Sequence, residues 1–369
     1  MSNIFNDGFT NKSFLYIYKQ ITENLYDAAI SAPSNKNKKY NTKGLKFNYI
    51  EVDELNACVW IDDDYDNMRI NTGTVSILYA FFYTVFSNTS MFVKIGDANG
   101  ESNNLVIGSF NPNNVSVCFS GAPKDENRRT IANLVSLMAC RYVCMHELGH
   151  LLNGHSYLLN NLYGTQQIEM ILKNIAGLFK EKVKLKYALD RRTLEMDADS
   201  FAATNGINNI IEIYQAREET NFYFDLLENP FQIFELWTFA VHSIFMLFES
   251  YSSSSYDKTG FYLPNEAREM LNLSAAQKTI DVMIDRGYFK CSITEKENIM
   301  NHFYKGIREA EIFFNTTFKT NYDFIGQGIN DSRFIDYADE VLDHWNKNLR
   351  NKLEKYSRAI LYNPTGMDY

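Results

Sequence analysis

From Ile131 to Val143 the chain is apolar around most of a helical circumference. A helix of that kind has to run through the middle of a domain rather than along its surface. Asp125 is placed to cap it, which predicts a helix from about Glu126 to Leu152, ended by Asn153-Gly154. The last part of this helix reads His146-Glu147-Leu148-Gly149-His150. Two imidazoles four residues apart lie one above the other on the same helix face. There they can share one zinc ion, and the carboxylate next to the first His can act on a water activated by the metal.

A catalytic zinc usually keeps three protein ligands and one open position, so a third ligand is needed. Downstream lies Leu194-Glu195-Met196-Asp197-Ala198-Asp199 in a helical pattern. Glu195 and Asp199 are one turn apart and share a face, so one carboxylate can bind the metal while the other orients an imidazole from behind. Such a pair is ordinarily a solvated face; following His-Glu-x-x-His by a few dozen residues, it becomes the leading source of the third ligand. His155 does not complete a metzincin pattern, because Asn153 and Ser156 stand where that pattern needs Gly and His. It reads as a residue behind the ligands or at the surface. Cys144 points to roughly the opposite side of the helix, about 200° away, and Cys140 is also off the stripe; both read as core. His242, His302 and His344 have no metal-ligand neighbours at helical spacing and read as core or surface residues. Glu147 is the natural general base, taking a proton from the activated water and passing it to a leaving amine.

Charge and composition set the class. A net charge of −9 argues against a nonspecific nucleic-acid binder, and the basic cluster Lys36, Lys38, Lys39, Lys43, Lys46 reads as a solvated loop. The 24 Tyr and 27 Phe favour a large packed interior. Five scattered Cys without a C-x-x-C pair suit free thiols in a reducing compartment. The N-terminus lacks a signal-peptide pattern. The most apolar stretch, Phe231 to Phe248, carries Gln232, Glu235, Thr238 and His242, which predicts a buried helix rather than a membrane span. A cytoplasmic protein is expected.

Along the chain, a helix is predicted over Asn11 to Ser31, then strands at Phe47–Val52, Ala57–Ile61 and Met68–Ile70, and a buried helix over Thr74 to Phe86. Further strands are predicted at Met91–Ile95, Asn104–Phe110 and Val115–Phe119. Beyond the central helix the expectation is helical: Thr165–Tyr187, a second helix starting near Arg191, and helices over roughly 264–286, 294–319 and 333–360. Strands early and helices late indicate an α+β fold. The predicted organisation is an N-terminal helix and Lys-rich loop (1–46), a catalytic domain (47–273) and a helical C-terminal extension (274–369).

His146-Glu-Leu-Gly-His150 together with Leu194-Glu195-Met-Asp-Ala-Asp199 resembles the gluzincin metallopeptidases. The resemblance is to the HtpX/CAAX-prenyl endopeptidase type and the Lit-type phage-exclusion peptidases. It implies a zincin-like domain with an early mixed sheet and a central motif helix. It also implies that His146, His150 and Glu195 hold Zn2+, that Glu147 is the base, and that Asp199 supports a ligand. Upstream, Leu55-Asn56-Ala57-Cys58-Val59 followed by Ile70-Asn71-Thr72-Gly73 is similar to the group's Asn-Ala strand and the Gly-containing segment after it. This implies a sheet edge at Asn56, Ala57 and Cys58 on which an extended peptide would bind by strand addition. Downstream, Tyr262-Leu263-Pro264-Asn265-Glu266-Ala267-Arg268 is similar to the group's His-Pro…Arg segment. The His is missing, and the Tyr262 hydroxyl is the residue that would stand in as an oxyanion donor; the plain alternative is a Tyr packed at a helix start. The motifs cover about residues 50 to 270, and HtpX-like membrane helices are absent from the pattern.

The expected function is a zinc metallopeptidase acting on a protein or peptide, with a regulated phage-defence role and an activating partner suggested by the family alone. No nucleic-acid or membrane partner is expected. The alternatives are a noncatalytic sensor or partner-binding protein on the same fold, and a zinc hydrolase of a non-peptide amide.

Overall fold

The early strands form where β-branched and aromatic residues alternate with polar ones, and the helices where apolar residues recur every three or four positions. A computed structural model describes residues 14–31, 42–62, 64–102, 106–107, 118–164, 167–169, 181–219, 221–251, 260, 262–323 and 332–361. In chain order these form α1 (Phe14–Ser31), β1 (Leu45–Ile50), β2 (Ala57–Ile61), β3 (Asp66–Asn71), α2 (Thr72–Phe86), β4 (Val106–Ile107) and β5 (Cys118–Phe119). The motif helix α3 (Glu126–Leu152) follows, then α4 (His155–Tyr163), β6 (Gln167–Glu169), α5 (Glu181–Gln215), α6 (Asn221–Phe224) and α7 (Gln232–Tyr251). The chain closes with α8 (Asn265–Asp285), α9 (Ile293–Phe318), α10 (Ser332–His344), a π-helical turn (Trp345–Leu349) and α11 (Arg350–Leu353). The fold is α+β: a mixed sheet built mainly from early strands, and a helical C-terminal part.

Two discontinuous compact units share the chain. One comprises Met1–Thr74, Val143–Ala202 and Val341–Tyr369; the other comprises Val75–Tyr142 and Ala203–Glu340. The long helices α3 and α5 each contribute to both.

The first unit contains the four-stranded sheet, in the order β1-β3-β2-β6. β1 runs parallel to β3, while β2 is antiparallel to both of its neighbours. Val59 pairs with Met68 on one side and Ile168 on the other, and all three are buried. The helix expected over Thr165 to Tyr187 is therefore corrected: Gln167–Glu169 is a strand, because its backbone completes the ladder of β2. Tertiary pairing has overridden helical periodicity there. From Glu181 onward one uninterrupted helix replaces the expected break before Arg191. Of the sheet edge implied at Asn56, Ala57 and Cys58, Cys58 is paired with Glu169 of β6.

The C-terminal segment of this unit returns to the end of α3. Arg358 and Ala359 both donate backbone N–H to the Leu152 carbonyl, satisfying an acceptor that the end of a helix leaves open. The Arg358 guanidinium pairs with Asp66 and Tyr26. The long helix expected over 333–360 gives way at Trp345 to the π turn and a bent tail that makes these contacts.

The second unit is packed around aromatic rings, as the composition predicts. Phe81 meets Phe82, Phe119, Phe313 and Phe314, and Phe92 stacks on Phe86 and meets Phe239 edge-on. α7 packs closely against α9, where a Cβ at Gly306 would stand 2.3 Å from the Glu235 carbonyl. The buried helix expected at Phe231–Phe248 is thus observed, and among the described residues no helix is long and apolar enough to cross a membrane. The strand expected at Met91–Ile95 is absent; the segment is a series of turns. The reason is Arg128, a fully buried residue of α3. Its guanidinium donates to the carbonyls of Phe86, Asn88, Met91, Phe92 and Ile95. One side chain satisfies five carbonyls, three of them (Met91, Phe92 and Ile95) in the segment where a strand would have aimed them at a neighbour. Asp125 accepts from the Arg128 amide and caps α3 as expected. Of the strands expected at 104–110 and 115–119, the described residues form the short antiparallel pair of β4 and β5; the remaining positions lie outside the described residues.

Candidate metal centre

α3 carries His146 and His150 one turn apart, and α5 carries Glu195, all three buried. Gly149 lets the two helices approach: a Cβ there would stand 3.1 Å from the Phe201 Cβ of α5. The Nε2 atoms of the two imidazoles are 3.2 Å apart. Glu195 places Oε2 3.4 Å from His146 Nε2 and Oε1 3.6 Å from His150 Nε2. Among the described residues these three form the group of His, Cys, Asp and Glu side chains able to hold a metal ion.

The donor set fits zinc. Two nitrogen ligands at about 2.05 Å from a tetrahedral ion stand about 3.3 Å apart, close to the separations observed. Two imidazoles and a carboxylate also make a three-ligand set that leaves a fourth position open. Electrostatics favour a cation as well. Burial opposes a charge on His146, but the Asp199 and Glu195 carboxylates outweigh it and raise His146 to about 10. A fully enclosed imidazole that favours its cationic form marks a pocket arranged to stabilise positive charge.

The neighbouring side chains hold the candidate ligands in place. Asp199, one turn after Glu195, accepts from His146 Nδ1 at 2.8 Å. Since that nitrogen carries the proton, Nε2 is the atom that could bind a metal ion. Arg191, one turn before Glu195, sets its Nη2 2.8 Å from Glu195 Oε1 and orients that buried carboxylate. His155 meets the other imidazole, Nδ1 to Nδ1 at 2.8 Å. Sequence reasoning missed Arg191 and Asp197; Arg191 was accessible through its one-turn spacing from Glu195, whereas Asp197 stands about 200° around the helix from it.

Glu147 is fully buried on α3, between the two imidazoles in sequence. Asn56 immediately precedes β2 and Ala57 begins it: the Asn56 carbonyl accepts from Asn71 N–H and from the Thr74 hydroxyl, and Ala57 is buried. Cys58 is buried and paired with Arg69 and Glu169. Tyr262 belongs to the second unit, just before α8, where the Arg268 guanidinium lies 5.9 Å from its ring centre. Of the described Cys, Cys58, Cys140 and Cys144 are buried and Cys291 is half-buried.

The three remaining His each acquire a carboxylate from a different element, which helical spacing alone does not show. His242 pairs with Glu269, His302 with Glu235, and His344 with Asp190. Comparison with known proteins returns no match to a family model, a curated protein or a solved structure.

Proposed function

We propose that the protein is a zinc-dependent peptidase whose reaction centre is His146, His150, Glu195 and Glu147. The observation that supports this reading best is the convergence of three buried ligand atoms, with a buried carboxylate, Glu147, next to the first of them in sequence. A zinc ion held there would supply Lewis-acid activation of water and of the scissile carbonyl. His146 and His150 present Nε2, and Glu195 contributes the anionic ligand. Glu147 accepts the proton lost by the attacking water and returns it to the amine that leaves. A purely structural site would gain nothing from enclosing that carboxylate, since an unneeded buried charge costs stability. The assignment to a regulated, phage-defence type of protease rests on family resemblance alone, and an activating partner is proposed on the same ground.

The test joins metal content with turnover. Purified protein should carry about one zinc per chain and hydrolyse an unfolded protein substrate. Glu147→Gln should keep the zinc and lose at least about 100-fold in hydrolysis. Zinc without hydrolysis of peptides would favour the noncatalytic or non-peptide reading, and hydrolysis unaffected by Glu147→Gln would remove Glu147 as the base.

A further inference from the structure

A second layer of proton-fixing groups stands behind His150, and it is longer than the one behind His146. His146 meets a carboxylate directly. His150 instead meets the imidazole of His155, with Nδ1 atoms 2.8 Å apart and rings edge-to-face. His155 Nε2 in turn lies 2.9 Å from Asp197 Oδ2, and that same oxygen accepts from Asn153 Nδ2 at 2.5 Å. His150 and His155 are fully buried, and Asp197 retains 14 % side-chain exposure.

The proton positions in this chain follow from its ends. If His150 binds a metal through Nε2, its remaining proton must be on Nδ1. His155 Nδ1 must then accept, so the His155 proton sits on Nε2 and is donated to Asp197. Asp197 is a carboxylate and can only accept, which is the one requirement that fixes the order of the whole chain. Local backbone geometry makes the arrangement possible. His155 follows His150 by five residues and would not face it on a continuous helix. The chain turns at Gly154, in the left-handed region at φ +81, and α4 starts again at His155. A Cβ on Gly154 would also stand 2.7 Å from Tyr356 Cβ, so the turn is held by the returning C-terminal segment.

We propose that His155 and Asp197 are positioning residues that fix the tautomer and ring orientation of His150, so that Nε2 is always presented to the metal. The proposal rests on the metal reading above, and it adds a role for Asp197 that the ligand motif does not contain. Asp197 thereby separates from its neighbours on α5: Glu195 touches the metal position, Asp199 orients the first imidazole, and Asp197 orients the second through His155.

The experiment is zinc affinity by competition with a chromophoric chelator, for the full chain, Asp197→Asn and His155→Phe. Asparagine keeps the shape but can donate, which permits the reversed proton order. Both variants should bind zinc about 10- to 100-fold more weakly, while the thermal stability of the zinc-free Asp197→Asn protein stays near that of the parent. Nitrogen-15 NMR of the zinc-loaded protein should show His155 protonated at Nε2 and His150 at Nδ1. Parent-like zinc affinity in both variants, or a His155 proton on Nδ1, would overturn the relay and leave the metal reading intact. A parent chain that binds no zinc would overturn the metal reading itself, and the relay with it.

Discussion

Each of the two units encloses a histidine among carboxylates, and the two clusters behave in opposite ways. In the first, His146 stands with Glu195 and Asp199. In the second, His242 of α7 stands with Glu269 of α8, and its Nε2 is 3.9 Å from Glu311 of α9. All six side chains are buried. Yet the carboxylates raise His146 to about 10 against the effect of burial, whereas burial pushes His242 down to about 3. What separates the two clusters as candidate metal sites is where their donor atoms point. Around His146 one carboxylate takes Nδ1 while another stands beside Nε2 with a second imidazole, leaving three donors converging on one point. Around His242 there is one imidazole, and no such convergence is found among the described residues. A buried His with acidic neighbours is thus not a metal site in itself; the donor atoms must be aimed at a shared position.

The strongest way to break this comparison is to remove one ligand from each cluster. Glu195→Ala should weaken zinc binding by on the order of 1,000-fold, since a three-ligand site becomes a two-ligand one. His242→Ala should leave zinc stoichiometry and affinity unchanged, although it destabilises the fold through the cavity it leaves. Metal analysis of the two purified variants checks both. Zinc retained in Glu195→Ala, or lost in His242→Ala, would reverse the assignment of the two clusters.

Acid sharpens the contrast from the other side. With its folded pKa depressed, His242 contributes stability that is fully present above its unfolded value of about 6.5 and lost as pH falls toward about 3. In that window the unfolded chain binds the extra proton, so stability rises with pH. The slope from this one group approaches about 1.4 kcal/mol per pH unit. Urea unfolding between pH 6.5 and 4 should show a shallower acid limb in His242→Gln than in the parent. An identical limb would mean that burial does not depress the pKa of His242 in the folded protein.

The candidate metal-binding group was legible because it lies on helical stripes: four-residue spacing places His146 over His150 and Glu195 beside Asp199, whatever the rest of the chain does. The α+β class was legible for a similar reason, as alternation and periodicity separate the early strands from the late helices. What could not be read depends on partners distant in sequence. Nothing local in Met91–Ile95 says that Arg128, more than thirty positions later, takes its carbonyls. Nothing local in Gln167–Glu169 says that β2 takes its backbone. Asp197 sits off the Glu195/Asp199 stripe, and only the turn at Gly154 brings His155 to within reach of it. The discontinuous units belong to the same class of facts, because the boundary cuts through α3 and α5 rather than falling in a loop.

The smallest effect expected tests whether convergence depends on how closely the helices approach. At Gly149 an added Cβ would meet Phe201 at 3.1 Å from its Cβ and 3.2 Å from its Cγ. Those atoms are close to the α5 backbone, so a rotation of the ring cannot relieve the contact and α5 must give by a few tenths of an ångström. Overpacking of this kind costs about 1–3 kcal/mol, and Gly to Ala within a helix returns about 1 kcal/mol. Gly149→Ala should therefore change overall stability by at most about 2 kcal/mol. Its effect on zinc should be out of proportion to that, because the same shift carries Glu195 away from two imidazoles fixed on α3. A loss of about tenfold in affinity, comparable with that from a disturbed supporting residue, is expected in the chelator competition. Unchanged affinity in a stably folded Gly149→Ala protein would show that Arg191 and Asp199 hold the ligands on target independently of helix spacing.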